Sequence, residues 1–127
     1  MINALFSQPN YLAAKKLLDA TVLRHEAIAS NLAHVETPNY KRLDVAPSFS
    51  AELSQALAGK SPDQIAGVQP QLAVDASAIA TNRDGNTVQL ETELAQLNKN
   101  YLAHTMETQL ITGSLLRLRL AITGRPI

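Results

Sequence analysis

The residues of this 127-residue chain best suited to chemistry are three histidines, His25, His34 and His104, and the run Asp84-Gly85-Asn86. Two imidazoles on facing helices could share a metal ion, and His25 and His104 fall on the stripes of two long helical patterns. A metal site needs further ligands at helical spacing, and neither histidine has a His-x3-His or Glu-x-x-His companion. Polar positions that fix the register of paired helices account for both more simply. Asp84-Gly85-Asn86 has the opening of a calcium loop but lacks the further acids and the closing Glu, so it reads as a turn and helix cap. No Gly-rich phosphate loop follows a strand, and no nucleophile sits in a recognisable setting. The chain has no cysteine, which removes thiolate and disulfide chemistry. The expectation is a protein that is not an enzyme, with no catalytic residue, no metal, no cofactor and no small-molecule substrate.

Composition narrows the class further. Lys+Arg and Asp+Glu balance at 11 each, which gives no global reason to bind nucleic acid or an anionic membrane. Aromatics are 4% with no Trp, too few for a large globular core. The charge is uneven locally: no acid follows Glu107, while Arg117, Arg119 and Arg125 remain. Cations near a helix C-terminus are favoured by the macrodipole. Residues 1–10 have no basic flank or long apolar run, so no cleavable signal peptide is expected. The uncharged stretch 108–116 is far short of the roughly 20 residues that span a bilayer.

The elements that must position these residues are chiefly two helices. Over residues 90–122 a seven-residue repeat puts Leu90, Leu94, Leu97, Tyr101, Ile111, Leu115, Leu118 and Ile122 on one stripe. A strict heptad of this length signals pairing with another helix in a left-handed supercoil. From Leu102 onward a second apolar stripe runs along the opposite side: Leu102, Met106, Leu110, Gly113, Leu116 and Leu120. Before it that side is polar, with Thr92, Gln96 and Lys99. A helix apolar all round must be buried all round. The chain's own first helix can cover one face, and the second is expected to meet other subunits. Asn86 is the expected N-cap, with Gln89 completing a capping box, Gly124 ending the helix and Pro126 blocking its continuation.

The first helix is expected over residues 11–32, with Tyr11, Ala14, Leu18, Thr21, His25, Ile28 and Leu32 on a heptad and Leu12 and Leu23 hinting at a second contact face. Residues 1–10 are expected to fray. The chain divides into an N-terminal helix (1–34), a signature loop and irregular insert (35–86) and a long C-terminal helix (87–127), one structural unit. The insert is expected to be largely irregular and mobile, with room for a short helix over 48–57 on Phe49, Leu53 and Leu57 and a short strand over 72–75. The fold class read from this pattern is mainly α, with the terminal helices paired as an antiparallel coiled-coil hairpin. Tyr11, Leu18, Ile28 and Leu32 would face Leu94, Leu97, Tyr101, Ile111, Leu115, Leu118 and Ile122.

The loop that ends the first helix carries the remaining signal: Ser30-Asn31-Leu32-Ala33-His34-Val35-Glu36-Thr37-Pro38-Asn39-Tyr40-Lys41-Arg42. Thr37 precedes a proline and is pushed out of the α region. Pro38-Asn39 suits a type II turn, because Asn tolerates the left-handed conformation, and Tyr40 can then fold its ring back onto the helix. The segment resembles the N-terminal signature of bacterial flagellar rod and hook proteins, whose usual form is close to Ser-Asn-Leu-Ala-Asn-x-x-Thr-Pro-Gly-Tyr-Lys. Asn31, Thr37, Pro38 and Tyr40 match it, while His34 stands where Asn is usual and Asn39 where Gly is usual. Two further segments, Asp84-Gly85-Asn86-Thr87-Val88-Gln89-Leu90-Glu91 and Leu120-Ala121-Ile122-Thr123-Gly124-Arg125, are similar to those of the proximal-rod branch of this family.

The resemblance implies a structural subunit of the flagellar basal body that polymerises helically in the periplasm after export through the flagellar type III apparatus. Implied partners are its own copies, FlgC-like rod proteins, the adaptor FliE and the export gate. A heterologous, non-closing contact is what generates a helical filament. Two alternatives compete. A different rod protein, FlgC-like, would need a C-terminus unlike Thr123-Gly124-Arg125. A cytoplasmic helical-bundle adaptor or chaperone would form a closed oligomer of finite mass.

Overall fold

Pro9 starts the first helix, where its fixed φ and missing N–H cost nothing. The computed structural model describes residues 8–125. Helix α1 spans Pro9–Ala33, strand β1 Leu43–Val45, helix α2 Ser48–Ala58, helix α3 Pro62–Gly67, strand β2 Leu72–Val74 and helix α4 Leu90–Thr123. α1 thus begins two residues before the expected start. Of residues 1–10, expected to fray, Pro9 and Asn10 instead belong to this helix, because Pro9 suits its first turn; residues 1–7, and the block expected at Pro126, lie outside the described residues. No helix among the described residues is long and apolar enough to cross a membrane.

α1 is covered on two sides. Ala13 and Ala20, with Leu12 and Leu23, pack against a small core built by the middle of the chain: Val45, Phe49, Leu53, Ala56, Ile65 and Val68. The small alanines let those larger side chains approach the helix closely. The insert holds the short helix and the short strand expected within it, and these pack on α1 in a core that an irregular segment would lack. Phe49, Leu53 and Ala56 bury one stripe of α2, with Leu57 half-buried beside them. Residues 59–61 end α2 and turn at Lys60, where φ is 52°, and a further short helix, α3, starts at Pro62. β1 and β2 pair antiparallel in the register Leu43↔Val74, Asp44↔Ala73, Val45↔Leu72. Backbone bonds Ala46 N–H to Gln71 O (2.8 Å) and Asp75 N–H to Arg42 O (2.9 Å) extend the pair at both ends. A few apolar residues, scattered in sequence, suffice because α1 supplies half of their surroundings.

α1 makes its most extensive contacts with α4. Asn31 meets Glu93, and Thr21 meets both Asn100 and His104. Tyr11, Leu115 and Leu118 line one cleft. Gly124 ends α4 in the left-handed conformation, φ 66°, donating its N–H to Leu120 O at 2.8 Å. The start of α4 differs from expectation. The helix begins at Leu90, and Gln89 precedes it with no side-chain cap. Asn86 does not cap it, because its side chain is held elsewhere.

Candidate functional site

The loop after α1 is held by side chains from both ends of the chain. Thr37 to Tyr40 form a tight turn, closed by Tyr40 N–H to Thr37 O at 3.3 Å, and Asn39 takes the left-handed position with φ 62°. Tyr40 then folds back: its ring stacks on His34, centroids 4.6 Å apart and planes within 4°. Its hydroxyl donates to Asn31 Oδ1 at 3.2 Å and accepts from Ser30 Oγ at 2.9 Å. His34 Nδ1 lies 2.8 Å from Ser30 O, which can only accept, so that nitrogen carries the proton.

The second signature segment straps this loop down. The Asn86 amide lies within hydrogen-bonding distance of three carbonyls, His34 at 2.8 Å, Val35 at 3.0 Å and Thr37 at 2.8 Å. Its Oδ1 accepts from Val88 N–H at 2.7 Å. Asn39 N–H donates to Asp84 O at 2.8 Å, Thr87 N–H to Tyr40 O at 3.0 Å, and Lys41 Nζ to Gly85 O at 2.8 Å. Gly85 has φ 77°, and a Cβ there would come within 2.6 Å of Asn39 Oδ1, so this crossing requires glycine. Two motifs far apart in sequence are therefore one joint.

Beneath the joint lies a buried polar cluster. Asn31 is fully buried and satisfied at every position of its side chain: Nδ2 donates to Leu43 O (2.9 Å) and Glu93 Oε2 (3.2 Å), while Oδ1 accepts from Leu43 N–H (2.8 Å) and Tyr40. Its amide thus pairs with the Leu43 backbone as a neighbouring strand would. Glu93, also fully buried, accepts from Arg42 Nε at 2.6 Å. Arg42 further donates from Nη1 to Asp75 Oδ2 at 2.5 Å and lies 3.5 Å from Asp44, which also pairs with Arg24 at 2.8 Å. Burial alone would draw the Arg42 pKa down. The hydrogen bonds to Glu93 and Asp75 and the charges of Glu93 and Asp44 outweigh it, and the guanidinium is held above its usual value. The Ser77 hydroxyl, and then Arg42, hold the Asp75 carboxyl below the usual range against the opposing effect of burial. Together these groups tie α1, β1, the segment after β2 and α4 to one another; no cluster of three or more potential metal ligands occurs among the described residues.

The remaining expected site residues fall along the helices. On the α1 side, Ile28 is 1% exposed, while Tyr11, Leu18 and Leu32 are partly buried. On α4, Leu97, Ile111 and Leu118 are partly buried, whereas Leu94, Tyr101, Leu115 and Ile122 are exposed. In the first half of α4, Glu93, Asn100 and His104 hydrogen-bond to α1, beside the half-buried Leu97. His25, placed by its spacing among the heptad residues, is exposed, because α1 turns Thr21 and Ile28 inward instead. On the second stripe of α4, Leu102, Met106, Leu110, Leu116 and Leu120 are each 45–64% exposed; Leu110 and the partly buried Gly113 border a cleft shared with Tyr11 and Ala14 of α1. Sequence reasoning missed Arg42, Glu93, Asp75 and the clamping role of Asn86. One signal was present: Glu93, Asn100 and Glu107 repeat at heptad spacing, a polar seam beside the leucines.

The Asn39 turn gives a direct test. Asn39→Gly should preserve the joint, and Asn39→Val should weaken it by about 1–3 kcal/mol, because a β-branched residue resists positive φ. Thermal unfolding of the two variants checks this, and equal midpoints would remove the turn argument.

No family model matches the chain. The chain is similar to the flagellar basal body rod protein FlgB of Aquifex aeolicus, 32% identical over 116 residues that cover 87% of this chain and 90% of that protein. It is similar also to the FlgB proteins of Borrelia hermsii, 30% identical over 115 residues (76% and 83% covered), and Borreliella burgdorferi, 25% identical over 111 residues (73% and 80% covered).

Proposed function

The chain belongs to the FlgB family of flagellar basal body rod proteins, and on that premise we propose that it is a subunit of the proximal rod, built by helical self-assembly. The observation that carries the assembly reading is the outer face of α4. Five large apolar residues, Leu102, Met106, Leu110, Leu116 and Leu120, stand exposed along one side of a 34-residue helix. A contiguous apolar strip of this kind marks an interaction surface. The order of contacts, Asn31 with Glu93 and Thr21 with His104, supports an antiparallel α1–α4 hairpin as the unit that assembles. The joint at Asn31, Tyr40, Asn86 and Arg42 holds the two helices and the middle core in a fixed relation, which a repeating lattice requires. Its partners in this reading are its own copies, FlgC-like rod proteins, the adaptor FliE and the export gate. In this reading it reaches the periplasm through the flagellar export apparatus.

The test is deletion of the gene with imaging of basal bodies. Loss of the rod above an intact membrane ring, restored by the gene in trans, is the expected result. A normal rod in the deletion strain would overturn the reading.

A further inference from the structure

A groove of about 530 Å³ opens between α1 and α4, walled by Val22, Leu97 and Tyr101 and floored by Thr21, Asn100 and His104. Its floor is one donor short. Asn100 is 5% exposed; its Nδ2 donates to Thr21 O at 2.8 Å, but its buried Oδ1 has no partner among the described residues. Thr21 Oγ1 gives its single proton to Leu18 O at 2.7 Å, so at His104 it must accept, from Nδ1 at 3.0 Å. In the neutral ring that leaves Nε2 as a second acceptor on a residue lining the groove. A buried acceptor without a donor costs about 1–3 kcal/mol. The walls beside it are exposed apolar surface, with Val22 48% and Tyr101 70% exposed.

The chain carries the complement elsewhere. Arg117 and Arg119 are exposed and form no salt bridge among the described residues, and no acid follows Glu107. They alternate with the exposed Leu116 and Leu120. We propose that the α1–α4 groove receives the arginine-bearing end of α4 from a second copy. A guanidinium donates to Asn100 Oδ1 and lies against the Tyr101 ring, while Leu116 and Leu120 pack on Val22 and Leu97. Groove and tail are different surfaces, so the contact is heterologous and propagates rather than closing. The proposal rests on the rod-subunit reading and names the surfaces that would join copies within it.

The absence of native cysteine allows a clean test. Asn98 lines the groove and is exposed, and Leu120 is 45% exposed. Positions 98 and 120 lie about 33 Å apart along one helix, so a disulfide, which needs Cα atoms within about 7 Å, can form between them only across two copies. Asn98→Cys/Leu120→Cys is co-expressed with the unsubstituted chain, so that rods still form, and isolated basal bodies are mildly oxidised. The expected result is covalent dimers and a ladder, absent from either single variant and from Glu91→Cys/Leu120→Cys. Adding Arg117→Glu and Arg119→Glu should reduce the ladder at least tenfold. Cysteine chain present in basal bodies without a ladder, or a ladder unchanged by the charge reversals, overturns the docking and leaves the rod reading intact. Basal bodies that lack even the unsubstituted chain would sink the rod reading itself.

Discussion

Glu93→Ala should destabilise the isolated chain more than almost any other single change on its surface or in its interior. Glu93 is fully buried and is the closest ion-pair partner of the Arg42 Nε, at 2.6 Å, while the Arg42 side chain is itself 7% exposed. Removing the carboxylate strands a buried guanidinium and takes one donor's partner from Asn31. Breaking one half of a buried pair costs about 3–5 kcal/mol, against the roughly 5–15 kcal/mol that holds a whole domain together. Asp75 and Asp44 remain near Arg42 and keep the loss toward the lower part of that range. Glu91, two residues away and exposed, is the control, and its replacement should stay within about 0.5 kcal/mol. Urea unfolding followed by far-UV circular dichroism measures both. The double change Glu93→Leu/Arg42→Met removes both charges together and should recover much of the loss, since apolar replacement of a buried pair is often neutral. A Glu93→Ala midpoint indistinguishable from that of Glu91→Ala would show that the cluster does not hold the joint.

The sequence disclosed features whose causes are local. Gly124 stops α4 because a left-handed residue is needed there, Asn39 takes positive φ in a turn set by Pro38, and Tyr40 folds onto the helix just before it. Phe49 and Leu53 mark α2 by their own spacing. What could not be read depends on partners distant in sequence. Arg42 and Glu93 are 51 positions apart, and the Asn86 amide finds carbonyls 49 to 52 positions away. Asn86 has every attribute of an N-cap, and only the arrival of the loop 34–37 decides otherwise. The middle core escaped for a similar reason. Val45, Ile65 and Val68 look like isolated apolar residues until Ala13 and Ala20 present a flat helix surface for them to cover. A heptad count finds leucines such as Leu97, whereas the hydrogen bonds between α1 and the first half of α4 are made by Glu93, Asn100 and His104. Polar groups that satisfy one another across an interface leave no hydropathy signal.

Leu110→Asp and Leu116→Asp should separate folding from assembly. Both side chains are largely exposed in the single chain, 61% and 46%, so an aspartate at either place meets water and costs little stability. Ile28→Asp is the opposite case: at 1% exposure it places a carboxylate in the packed interior and should unfold the chain. Leu115, at 42% exposure, would make a poor folding control despite its place in the heptad. On the proposed assembly, neighbours cover this face of α4, and an unpaired charge buried there would cost about 3 kcal/mol, roughly a hundredfold in the affinity of each contact. Because a filament repeats the contact at every subunit, that loss is enough to stop growth. The expected outcome is soluble, exported Leu110→Asp and Leu116→Asp protein with helical content like that of the unsubstituted chain, and basal bodies without a rod. Ile28→Asp cells should also lack a rod, but with the subunit degraded. Secreted subunit is measured by immunoblot and rods by electron microscopy. If Leu110→Asp and Leu116→Asp cells swim normally, the exposed leucines are not an assembly surface, and the long apolar face of α4 requires another explanation.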